Sequence, residues 1–267
     1  MGFSIAGKTA IVTGAANGVG LAIGRQFVEA GANVVFADMD EERLQDQIGD
    51  AAKKEETVRL FAGDLREKLT INNLLSATID AFEQVDILIN ASRQMIPSDP
   101  LNVEDTSVQT LLEQNLLTSL KLSRLVAKRM IKQAGESDAS TIGSIVNLSS
   151  IAARRTQPEL LAYSVSSAAL DQMTRSMAVA LAEHRIRVNA VAFGSVMSAS
   201  LKGQLAEHDD YRNLIKENTP IGRIASAREV AEAVQFLASD GAGFMTGQII
   251  TVDGGRTLID PVAVPAH

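Results

Sequence analysis

The chain predicts an α/β fold: one domain built on a doubly wound, seven-stranded parallel sheet with helices on both faces. Two observations point there. Short, nearly continuous apolar runs alternate with helix-like stretches along all 267 residues, and no Pro-, Gly- or Ser-rich linker or shift of composition divides them. Strands of a parallel sheet are buried on both sides by helices, so they read as unbroken apolar runs.

The first strand, Thr9–Thr13, is apolar and β-branched. Gly14, Gly18 and Gly20 interrupt it, and Leu21, Ile23, Phe27 and Val28 continue at helical spacing until Gly31. Glycine suits such a turn because it permits positive φ. It also has no Cβ to hold a pyrophosphate away from the N–H groups at the helix mouth. The second strand, Val34–Ala37, ends in Asp38. An acid about twenty residues past the turn accepts hydrogen bonds from the ribose hydroxyls of an adenine dinucleotide. Strand, glycine turn, helix, strand and acid together predict a Rossmann-type dinucleotide site. Asp38 favours NAD(H), since its charge repels a 2′-phosphate and neither Asn17 nor Met39 offers that phosphate a cation.

Further along, Glu41–Lys54 is a polar helix and Val58–Phe61 a third strand, followed by Gly63, Asp64 and Leu65. Leu69–Phe82 is a helix, Asp86–Asn90 a fourth strand, and Thr106–Gln133 a long helix holding Asn115. Ser144–Leu148, Arg187–Val191 and Gln248–Val252 complete the sheet, with helices over Ala162–Glu183 and Ala227–Leu237. The polar segment 196–220 is expected to be a mobile substrate lid. Right-handed crossovers bring the strand ends to one edge, gathering Gly14–Gly20, Asp38, Asp64, Asn90, Ser150 and Phe193 there.

A net charge of −7 with no basic block argues against nucleic acid or an anionic membrane as partner. No apolar run approaches transmembrane length. The absence of cysteine removes thiol chemistry and fits a reducing compartment. His184, His208 and His267 show no ligand spacing, so no metal is expected. The first strand begins too early to leave room for a signal peptide, and a soluble, cytoplasmic protein is expected.

From Lys8 to Gly255 the chain resembles the short-chain dehydrogenase/reductase family. TGAANGVG at Thr13–Gly20 is similar to that family's TGxxxGxG turn, and Asp64-Leu65 to its adenine-contacting pair. Asn115 falls where the family has a helix asparagine. Ser150 and Tyr163, thirteen residues apart, match its serine–tyrosine pair, and RVNAV and TGQIITVDGG resemble its late segments. The resemblance implies hydride transfer between nicotinamide and a secondary alcohol or ketone. Tyr163 would be acid/base, Ser150 a donor to the substrate oxygen, and Asn115 the support of a proton relay. The implied cofactor contacts are Gly14, Asn17, Gly18, Val19, Gly20, Asp38, Met39, Asp64, Leu65, Asn90, Ala91, Tyr163, Gly194, Val196 and Ser198. A homotetramer or homodimer is implied as well.

Three positions depart from that pattern. The lysine of the family's YxxxK is Ser167, which shares a helix face with Tyr163 but brings no charge. A charge that shifts a phenol by about two pKa units is equivalent to ~2.7 kcal/mol, roughly a hundredfold in tyrosinate. Turnover is therefore expected to be weakened, unless Arg154, Arg155 or Lys202 reaches in. In an ungapped reading Arg93 stands where the family's NNAG has glycine, and would crowd the backbone near the cofactor; a one-residue shift would instead align Asn90-Ala91-Ser92 with the NAS variant of pteridine reductases. Phe193 stands for the proline of PG and would loosen the chain there. The alternative to a weakened dehydrogenase is a silent NAD(H)-binding protein, a sensor or inactive subunit. Lyase or isomerase chemistry on Tyr163 is a third reading.

Overall fold

A computed structural model describes residues 2–207 and 210–260. Its seven strands are β1 (Thr9–Thr13), β2 (Asn33–Asp38), β3 (Val58–Ala62), β4 (Ile87–Asn90), β5 (Gly143–Ser150), β6 (Ile186–Phe193) and β7 (Ile249–Val252). They form one sheet in the order β3-β2-β1-β4-β5-β6-β7, and every neighbouring pair is parallel. The expected Rossmann-type sheet is present.

Helices cover both faces, and the strands alternate between them. Ala10 and Val12 pack on one side with Ile23 and Phe27 of α1 (Gly18–Glu29), Leu44 of α2 (Glu41–Lys54) and Val230 of α9 (Ala227–Ala238). Ile11 points to the other side. There it meets Leu74 of α3 (Lys68–Phe82), Val126 of the helix before β5 and Met173 of the helix before β6. Residues of the central strands β1, β4, β5 and β6 are therefore buried whichever way they point, which explains their unbroken runs. Ser226 and Glu229 cap α9 reciprocally, and that helix packs directly along α1.

The long helix expected over Thr106–Gln133 is not uniform. It comprises α4 (Ser107–Leu111), a wider π-type turn at Leu112–Leu117, and α5 (Thr118–Ala134). The π turn contains Asn115, and such turns gather at functional sites because the extra residue re-aims side chains. Strands β5 and β6 run longer than their apolar cores. Ser150 pairs with Phe193, a ladder contact that hydrophobicity does not announce. After α6 (Leu161–Ala182) and β6, the segment expected to be a lid forms α7 (Ala199–Glu207) and α8 (Tyr211–Glu217). Residues 208 and 209 within it, and residue 1 and 261–267 at the ends of the chain, lie outside the described residues. Among the described residues no helix is long and apolar enough to cross a membrane.

Candidate active site

The order in which strands are added to the sheet reverses between β1 and β4, and Thr13 stitches that point together. Its hydroxyl donates to the Ile89 carbonyl at 3.3 Å and accepts from the N–H groups of Ala91 and Ser92, each at 3.0 Å. The chain leaving β4 therefore runs hard against the glycine turn. Gly14 has φ +63°, and a Cβ there would lie 2.7 Å from the Ala91 carbonyl oxygen. Only glycine fits.

The mouth of α1 fits a diphosphate. Its first N–H groups have no partner within the helix, and exposed Asn17 precedes them without a side-chain capping bond. Gly18 has φ +54°, and the nearest atom to a Cβ there is Cβ of Ser198, at 3.8 Å. Val19 is half-buried beside it, and Gly20 is buried against the Gly14 carbonyl. The helix therefore offers uncapped donors over open space, which suits an anion.

Asp38 ends β2 beside this mouth. Its carboxylate accepts from Ala16 N at 3.0 Å and Asp40 N at 3.2 Å, which fixes it while leaving lone pairs free. Met39 is exposed next to it. Asp64 is held by Arg66, whose Nη2 lies 2.6 Å from Oδ2, and this pairing lowers its pKa. Leu65 turns inward to the core. The amide of Asn90 is engaged by the core, donating to Ser123 Oγ at 2.9 Å and Asn147 Oδ1 at 2.8 Å. Ala91 meets the turn through its backbone.

Tyr163 lies in the first turn of α6, nearly buried. Its carbonyl accepts from Ser166 Oγ at 3.1 Å, and Ser166 Oγ accepts in turn from Asn115 Nδ2 at 3.3 Å. Ser167, Asn115, Arg93 and Tyr163 line one small cleft. Ser150 is buried at the end of β5, its hydroxyl accepting from Ala152 N at 3.1 Å.

The Tyr163 hydroxyl has a cationic partner that the sequence alone did not suggest. Arg93 Nη1 donates to it, and the guanidinium carbon stands 5.8 Å from the Tyr163 ring centroid and 4.2 Å from that of Phe193. The three cations considered from the sequence are placed otherwise. Arg154 bonds Thr251 Oγ1 at 3.1 Å, Arg155 bonds the Thr257 carbonyl, and Lys202 is exposed on α7. Phe193 does not loosen its strand. It is buried and paired on both sides, with Ser150 and with Val252. Beyond it, Gly194 N donates to the Val252 carbonyl at 3.2 Å, Val196 bridges to Ala225, and Ser198 Oγ accepts from Leu201 N at 3.2 Å.

Residues 14–257 match a family model described as enoyl-(acyl carrier protein) reductase. The chain is 36% identical to cis-4-hydroxycyclohexanecarboxylate dehydrogenase of Sinomonas cyclohexanicum, covering 97% of this chain and 100% of that one. It is 31% identical to 7alpha-hydroxysteroid dehydrogenase of Escherichia coli K12, covering 93% and 94%. A solved 7alpha-hydroxysteroid dehydrogenase, complexed with NADH and 7-oxo glycochenodeoxycholic acid, superposes with a TM-score of 0.87 at 30% identity, over 95% of this chain and 96% of that one.

Proposed function

The chain belongs to the short-chain dehydrogenase/reductase family, and from that premise we propose that it is an NAD(H)-dependent oxidoreductase interconverting a secondary alcohol and a ketone. The observation that carries the reading is Tyr163, whose hydroxyl sits beside a cation at the sheet edge where α1 opens. When bound, the nicotinamide supplies or accepts the hydride. The chain's own residues do the rest. The mouth of α1 holds the diphosphate, Asp38 takes the ribose hydroxyls, and Asp64 with Leu65 meets the adenine. Gly194, Val196 and Ser198 border the nicotinamide end. Tyr163 moves a proton to or from the substrate oxygen, and Ser150 donates to that oxygen. Asn115 holds the π turn and the loop after β4 in place.

Ser167 stands where the family's lysine is expected, so turnover through Tyr163 is weakened unless another cation serves the phenol. The same position favours the second reading, a chain that binds NAD(H) without turning it over. Helices α7 and α8 cover the substrate pocket. Exposed Leu117 at the end of the π turn and Val165 and Val179 on α6 support a dimer or tetramer, and a chain without cysteine suits the cytoplasm.

The test is NAD+-linked oxidation of a panel of secondary alcohols, with Tyr163→Phe beside the natural chain. Loss of turnover with unchanged NAD+ binding supports catalysis. Turnover that survives the substitution removes Tyr163 from it.

A further inference from the structure

We propose that Arg93 is the positioning cation of Tyr163, taking the part that a lysine at position 167 plays elsewhere in the family. The inference rests on Tyr163 as the proton-transferring group. The three places where this chain departs from the family pattern are one arrangement. Arg93 supplies the charge, Phe193 the face on which the guanidinium stacks at 4.2 Å, and Ser167 a short side chain in the cleft the arginine lines. The Nη1 donor ends on the Tyr163 hydroxyl.

The guanidinium is well placed for that part. It stays charged at any working pH and is held by a planar stack rather than by a flexible stem alone. Among the described residues no carboxylate pairs with Arg93, so its field is not spent on a counter-ion. Its backbone is fixed on both sides, by Thr13 at Ala91 and Ser92 and by Asn115 at Gln94. The phenol oxygen accepts from Arg93 and keeps its own hydrogen for the substrate. In the reducing direction the phenol O–H bond breaks and the proton passes to the carbonyl oxygen. The guanidinium donor then stabilises the phenolate left behind.

The chain has two tyrosines and no tryptophan or cysteine, which permits a test without substrate. In a Tyr211→Phe background the phenolate absorption band reports Tyr163 alone. Replacing Arg93→Gln is expected to move the pH at which that band appears upward by about one unit or more, a tenfold change or greater in phenolate population. Arg93→Lys retains most of the effect, and Ser167→Lys added to Arg93→Gln moves the band back. Where NAD+-linked turnover is measurable, the acid limb of kcat moves with the band and KM changes less. If Arg93→Gln fails to fold, Phe193→Leu removes the stacking face and shifts the band in the same direction. An unmoved band in the folded Arg93→Gln variant overturns the proposal. An unmoved band with tighter NAD+ binding also overturns it, and makes the side chain a plug in the cofactor cleft. Neither result bears on whether Tyr163 is required for turnover, which Tyr163→Phe decides.

Discussion

The amide of Asn115 closes a two-bond ring with the backbone of Gln94. Gln94 N donates to Oδ1 at 2.8 Å, and Nδ2 donates to the Gln94 carbonyl at 2.9 Å. A helix side chain thereby acts as the missing neighbour strand for the loop that carries Arg93. Replacing Asn115→Ala leaves both backbone groups without those partners and is expected to lower stability by about 1–3 kcal/mol. Thermal unfolding measures that loss, and turnover should fall further than stability alone explains. Asn115→Asp keeps the acceptor but not the donor, and should fall between the two.

Gly14 has no room for a side chain. Its φ of +63° and the Ala91 oxygen 2.7 Å from a hypothetical Cβ make Gly14→Ala strained in both backbone and packing. A loss of about 1–3 kcal/mol from the backbone alone is expected, with weakened NAD+ binding by calorimetry. An unchanged melting temperature would contradict the close approach.

Asp38 is expected to set cofactor choice. With its carboxylate anchored by Ala16 and Asp40, NAD+ should bind more tightly than NADP+. Asp38→Asn keeps the side chain's size and an acceptor, and removes the charge. It should narrow the preference by roughly tenfold, about 1.4 kcal/mol. Tighter binding of NADP+ by the natural chain would refute the assignment.

The support of α1 from behind has a pH signature. Arg223 grips Glu229 through two bonds of 2.6 and 2.8 Å, and this pairing lowers the Glu229 pKa from 4.5 to about 2. A depressed carboxylate stabilises the fold above its unfolded value and loses that contribution as pH falls toward the folded one. Glu229→Gln should therefore be less stable than the natural chain near neutrality, by at most about 1 kcal/mol for so exposed a pair. The gap in melting temperature should narrow as pH drops below 4.5 toward about 2. A gap independent of pH would assign the effect to the helix cap alone.

Much of the fold is legible from one end of the chain to the other because its causes are local or periodic. An apolar run buried on both faces declares a parallel strand. A glycine that must adopt positive φ declares a turn, and Asp38 declares the end of β2. The exceptions share a cause. The extension of β5 through Ser149 and Ser150 comes from ladder pairing with β6, and the π turn around Asn115 from a loop it must bind across space.

By itself, then, the sequence determined the sheet, the glycine mouth of α1 and the place of Tyr163 at the start of α6. Only the tertiary structure decided which cation meets the phenol. Arg154 and Arg155, near in sequence, turn toward Thr251 and Thr257. Arg93, 70 positions before Tyr163, arrives because β4, β5 and β6 are neighbours in the sheet. Their parallel order brings the loop after β4, the phenylalanine ending β6 and the first turn of α6 to one edge. Hydrogen bonds and ring contacts act over a few ångströms of space and are blind to distance along the chain.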